Sequence, residues 1–213
     1  MQNFVLKGQH FLLHPFKGIY WEEEKTLLIA DLHLGKTNHF RKAGIPVPID
    51  VKQSNYDKFT ALLLDFSPEK ALILGDLFHS DFNQSWQDMI DIIQQFKDIK
   101  FELVIGNHDI LELKRYKEAK LHLHDEGLII GPFIFTHHPL EEVPFGLFNL
   151  CGHLHPGVRL GGKGRSTLRL PCFYFGEDQG ILPAFGEFTG TSDIKPKEND
   201  AVFVIAKEKV LKV

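Results

Sequence analysis

Five short apolar runs in this chain end the same way. Leu27–Ala30 gives way to Asp31-Leu32-His33, and Ala71–Leu74 to Gly75-Asp76. The run ELVI gives way to Gly106-Asn107-His108-Asp109, FIFT to His137-His138, and FNLC to Gly152-His153-Leu154-His155. Runs of this length, bounded by glycine or polar residues, read as buried strands. In open α/β sheets, ligands collect outside the carboxyl ends of the strands. Five strands delivering Asp, Asn and His to their tips therefore predict an α/β fold with one site, assembled from several loops along a sheet edge.

The rest of the pattern fits such a frame. Strands are expected near 4–6, 11–14, 18–21 and 26–30. "IDVKQSNYDKFTALLLDF" places Tyr56, Phe59, Leu62, Leu63 and Phe66 at helical spacing, and "NQSWQDMIDIIQQFKD" does the same with Trp86, Met89, Ile90, Ile93 and Phe96. Beyond residue 110 the helical signals fade and strands separated by Gly and Pro take over. Strand–helix alternation followed by mostly strand predicts a partly parallel sheet packed on a more antiparallel one, with helices outside. The 213 residues, 43% hydrophobic, can bury a sizeable core. No linker, repeat or low-complexity block divides them, so a single domain spanning 1–213 is expected. The net charge of −4 offers no global attraction to nucleic acid or anionic membrane, so any such contact must use a local basic patch. There is no apolar run of about 20 residues and no signal-peptide layout. With only two cysteines, Cys151 and Cys172, the expected compartment is the cytoplasm.

The donor types narrow the chemistry. Two carboxylates, an amide and four imidazoles, with no thiolate, do not suit a closed structural zinc site. They suit Mn²⁺, or Fe or Zn in an open catalytic site. They are too many for one ion but fit two ions sharing a carboxylate. Such a pair clamps the attacking and leaving oxygens of an in-line displacement at phosphorus.

The ordered set DLH, GD, GNHD, a later His and GHLH resembles the calcineurin-like metallophosphoesterase signature, over roughly residues 27 to 156. The resemblance implies a four-layer α/β/β/α sandwich and a two-metal phosphoester hydrolase. By position it implies Asp31, His33 and His155 on a first metal, with Asp76 bridging. Asn107, His137 and His153 would hold the second. His108 would act at the leaving oxygen, oriented by Asp109. "DLHLGKTNHFRKAGIPVP", "GDLFHS", "CGHLHP" and "LRLPCFYF…LPAFGEFTG" further resemble the bacterial ligase-associated, PdeM-type branch. That branch implies phosphodiesterase or nuclease action with Mn²⁺, and association with a DNA ligase and a helicase in DNA repair.

Other residues carry alternatives. His137 and His138 compete for one ligand position, and His137 follows its strand directly. His79, His39 and Arg41 are candidates to contact substrate, with a forked guanidinium suited to phosphate oxygens; the bland reading is loop residues facing solvent or backbone. Basic groups cluster at Lys36, Arg41 and Lys42, and around "GGKGRSTLR" at Arg159, Lys163, Arg165 and Arg169. These read either as a nucleic-acid grip or as a hairpin tip. His10, His14, His122 and His124 read as structural or exposed, and Cys151 as a small buried hydrophobe. The leading function is a phosphodiesterase on nucleic acid. The alternatives are a small-molecule phosphoesterase for nucleotides or cyclic nucleotides, and an inactive scaffold, which the intact donor set argues against.

Overall fold

A computed structural model describes residues 1–35, 50–79, 83–161, 167–187 and 189–213, with the side chains of 50–53 left out. Lys36, His39, Arg41, Lys42, Lys163 and Arg165 lie outside the described residues.

The first sheet runs in sequence order. Strands β1 (Gln2–Leu6), β2 (Gln9–Leu13), β3 (Ile19–Trp21) and β4 (Thr26–Ile29) form an antiparallel meander. From β4 the sheet turns parallel through β5 (Lys70–Leu74), β6 (Lys100–Val104) and β7 (His122–His124). Parallel pairing needs crossovers. Helix α1 (Asp50–Phe66) follows β4, α2 (Gln84–Gln95) follows β5, and the short α3 (Leu113–Glu118) follows β6. Asn83 caps α2 by accepting the Ser85 N–H at 2.8 Å, which satisfies one orphan donor of the first turn.

Strand β4 shows no alternation because both of its faces are covered. Leu27 and Ile29, with Ala71, Ile73, Phe101 and Leu103, pack against Phe59, Leu62, Trp86 and Met89 of the helices. Leu28, with Leu72, Leu74 and Val104, faces the second sheet and meets Phe133, Phe135, Phe148, Phe173 and Phe203.

The second sheet takes β8 (Leu128–Ile130), β9 (Phe133–Phe135), β10 (Phe148–Cys151), β11 (Pro156–Gly161), β12 (Thr167–Phe175), β13 (Gln179–Ile181), β14 (Ser192–Asp193), β15 (Ala201–Ala206) and β16 (Lys209–Lys212). Its order is β14-β11-β12-β13-β10-β9-β8, with β15 on β12 and β16 on β15. Pairing is mixed, and β9, β10 and β13 run parallel.

Two mixed sheets face to face, with helices on the first, agree with the α/β expectation. On the outer face of the second sheet, Cys172, Val202 and Val204 pack with Val158, Leu170 and Tyr174, and no helix among the described residues covers them. Period-2 alternation explains the choice of face. Phe173, Phe175 and Phe203 point inward, and Cys172, Tyr174, Val202 and Val204 point outward. The α3 helix escaped sequence reading because its six residues bury only Tyr116, too few for a period to register. The second helix stops at Gln95, short of the expected 98.

Candidate metal centre

Beyond the last paired residues of β4 and β5, the two chains keep bonding as they leave the sheet. Asp31 N donates to Gly75 O (3.1 Å), His33 N to Asp76 O (2.9 Å) and His79 N to Leu34 O (2.9 Å). The second sheet is tied to the same edge. His153 N donates to Asp31 Oδ2 (3.0 Å) and Gly186 N to Asp31 O (3.0 Å), while within the second sheet Gly152 N donates to His137 O (3.1 Å). Asp31 therefore joins the sheets as well as facing the site.

The backbone here is strained. Asp31, His33, Asp76, His153 and His155 all have φ between 48° and 66°. This left-handed region costs a residue with a Cβ about 1–2 kcal/mol. Such strain persists where the surroundings over-determine the geometry, and it clusters at functional sites.

Two pools of donors result. Donor atoms of Asp31, His33 and His155 lie within 4.8 Å of one another, as do those of Asp31, Asp76 and His137, and those of His137, His138 and His153. His33 Nε2 is 3.4 Å from His155 Nε2, and His155 Nε2 is 3.3 Å from Asp31 Oδ1, a buried oxygen without a hydrogen bond. His137 is oriented by its other ring nitrogen. Its Nδ1 lies 3.0 Å from Leu74 O, which can only accept, so Nδ1 donates there. Its Nε2 is thereby aimed into the pool. Facing it are Asn107 Oδ1 at 3.1 Å, His153 Nδ1 at 3.3 Å and Asp76 Oδ1 at 3.4 Å. Imidazole nitrogens and hard oxygens converging on one point are the arrangement a bound cation would hold together. The 3.3–3.4 Å spacings match the ligand–ligand edge of a tetrahedron with metal–nitrogen bonds of about 2.0–2.1 Å. The donor set thus fits divalent metal. Burial, then the neighbouring imidazoles of His138 and His137, hold His153 below the ordinary histidine pKa, which keeps it in the neutral form a metal needs.

The glycines of the motifs are set by close approach. A Cβ on Gly75 would fall 2.1 Å from His137 Nδ1, and one on Gly152 2.6 Å from Asp31 Oδ2.

The structure brings together all seven expected donors. His108 sits beside them, its N–H donating to Asp76 Oδ1 at 2.9 Å. The rings of His79 and His108 are 3.9 Å apart and that of His33 is 5.3 Å from His79, so His79 belongs to the site's rim. Asp109 departs from expectation. Its carboxylate does not reach the His108 ring but accepts from Phe78 N (3.1 Å) and Gly106 N (2.9 Å), bracing the β5 loop against the β6 loop. Burial raises its pKa to about 6. Arg159 and Arg169 also differ from a free basic grip. Both pair with Asp193, at 2.8 and 2.6 Å, which removes part of their charge. Of the other histidines, His10 bonds Glu23 and His124 bonds the buried Glu102, both at 2.7 Å. His138, left in competition with His137, turns out to share its pool. The sequence signal missed was Asn149, a lone polar residue inside FNLC. Its amide is fully buried and anchors the loop that carries both histidines.

The family model for calcineurin-like phosphoesterases matches residues 24–179. The chain belongs to that family. It is accordingly a metal-dependent phosphoester hydrolase, and its clustered Asp and His donors agree with a family that uses divalent metals. Among solved structures it is similar to a nuclease, MPE, of Pseudomonas putida, with 28% identity and a TM-score of 0.82, covering 100% of this chain and 99% of that one. A protein of unknown function from Aquifex aeolicus matches at 16% identity and a TM-score of 0.43, covering 66% of this chain and 82% of that one. No curated protein matches the sequence. Among the described residues, no helix is long and apolar enough to cross a membrane.

Proposed function

We propose that this calcineurin-like phosphoesterase is a dinuclear phosphodiesterase of the PdeM type that cleaves nucleic acid. The observation carrying this reading is the convergence of Asn107, Asp76 and His153 donor atoms on Nε2 of His137. The nuclease likeness over the whole chain supports the substrate class.

Asp31, His33 and His155 would hold one ion and Asn107, His137 and His153 the other, with Asp76 available to both. Bound divalent ions would supply charge neutralisation at phosphorus and a water acidified toward neutral pH. The hard carboxylate and amide oxygens favour Mn²⁺. His108 is held against Asp76 by its own N–H, so its ring is free to give a proton to the departing oxygen. His79, its ring tilted against that of His108, keeps a second imidazole at the leaving-group side. His39 and Arg41 contact the substrate backbone. The protein works in the cytoplasm as a single domain, in a DNA-repair context with a ligase and a helicase. Burial raises the Cys172 thiol to about 12 and Cys151 further, so both thiols stay unreactive.

A second reading, a small-molecule phosphoesterase, draws on the net charge of −4 and on the Arg159 and Arg169 charges bound by Asp193. One panel separates the two. Mn²⁺-dependent turnover of bis-p-nitrophenyl phosphate, p-nitrophenyl phosphate, mononucleotides and labelled single-stranded DNA is compared, with Asp76→Asn as control. Cleaved DNA and a silent control are expected. Fast mononucleotide turnover with intact DNA would end the nuclease reading.

A further inference from the structure

We propose that His138 is a third imidazole donor to the second metal position, and that it sets that position's metal preference. This rests on the dinuclear reading above. The donor atoms of His137, His138 and His153 lie within 4.8 Å of one another. The His138 ring is 4.1 Å from that of His153 and 4.7 Å from that of His137. His138 is exposed, whereas His137 is buried, so it closes the solvent side of the pool. Among the described residues nothing else engages its ring nitrogens with a hydrogen bond.

Its position is built into the fold. Buried Asn149 donates from Nδ2 to Ile134 O (3.0 Å) and to Thr136 Oγ1 (2.8 Å). Thr136 then donates its hydroxyl to His138 O at 2.6 Å. This chain of bonds fixes the backbone of residue 138 one step from His137, whose ring is itself locked by Leu74 O.

The chemical consequence is asymmetry between the two positions. The first has one imidazole fewer and richer carboxylate. A third imidazole on the second shifts it toward Zn or Fe relative to Mn, because imidazole favours borderline ions over hard ones.

The test uses metal-stripped full-length protein, with Mn²⁺ and Zn²⁺ titrated calorimetrically against wild type, His138→Ala and His138→Gln. Metal content is measured in parallel. Co²⁺ absorption reports the coordination of the second equivalent. Losing an outer partner of a ligand already costs 10–100-fold in affinity, so losing a donor should weaken the second Zn²⁺ at least about 10-fold. The first equivalent should be unchanged, and the Zn-over-Mn preference should fall. Two equivalents bound with unaltered affinity and unaltered Co²⁺ spectrum in His138→Ala would overturn the assignment. A raised KM with unaltered metal binding would also overturn it, making His138 a substrate contact. Fewer than two ions on wild type would instead bring down the dinuclear reading itself.

Discussion

Gly106→Ala isolates the sterics of the centre. A Cβ at this position would lie 2.4 Å from both Asp76 N and Asp76 Oδ1, whereas ordinary contact begins at 3.4 Å. Gly106 is outside the left-handed region, so the methyl group adds a collision without dihedral strain. Asp76 must retreat by about 1 Å, and rotating its side chain is not enough because its backbone N is equally close. The retreat stretches the bonds from His33 N and His108 N that fix Asp76 O and Oδ1, both 2.9 Å. A 1 Å misplacement of catalytic groups can cost about 10²-fold in rate, or about 2.7 kcal/mol at 1.36 kcal/mol per decade. Overpacking takes a further 1–3 kcal/mol, roughly, from stability. At about 2–4 °C per kcal/mol for a chain of this size, the melting temperature should fall by several degrees. The assay is Mn²⁺-dependent hydrolysis of bis-p-nitrophenyl phosphate, read with thermal melts and metal content. Gly190→Ala is the control, because nothing lies within 4 Å of the Cβ added there. Wild-type kcat/KM and metal content in Gly106→Ala would refute the reasoning.

Four further outcomes follow from the structure. Mn²⁺ at about 100 times its Kd should stabilise the stripped protein by about 2.7 kcal/mol per ion, and differential scanning calorimetry reads this as a rise in melting temperature. Asp76→Asn should lose most of that rise while melting no lower than wild type when stripped, because it relieves repulsion with Asp31 in the same donor cluster. A lower stripped melting temperature would count against that. Glu102 is buried, and burial alone would raise its pKa, but Lys100 and His124 bonded to it, with Lys70 nearby, bring it below the ordinary value. The stability it contributes is present above the unfolded glutamate pKa and is lost as pH falls through the folded one. Glu102→Gln should therefore flatten the acid limb of a denaturation-versus-pH curve, and an unchanged limb would refute this. Trp86 is buried edge-on to Phe78 and Tyr116, with centroids 5.5 and 5.2 Å away. Trp86→Ala should cost about 3–5 kcal/mol in urea unfolding. Because Phe78 N is held by Asp109, the variant should also loosen metal binding, which calorimetry can read.

The strands that end in polar residues were legible in the sequence by itself. Short apolar runs that stop at Asp, Asn and His read as strands with polar tips, and the structure has strands there, with those tips along one edge. The long helices were equally legible, because Tyr56, Phe59, Leu62 and Leu63 or Trp86, Met89 and Ile93 repeat with one period. Only the tertiary structure shows where two adjacent histidines point: His137 is buried with Nδ1 against Leu74 O, whereas His138 is exposed, and both rings lie near that of His153. It also gave Asp109 a bracing role across two loops and gave Asp193 hold of the two arginines. Apart from the local bond of Gly106 N to Asp109, these are contacts between residues 15 to 63 positions apart, or differences of side-chain direction within one loop. Their energies depend on distance and orientation, which a linear order of residue types does not contain.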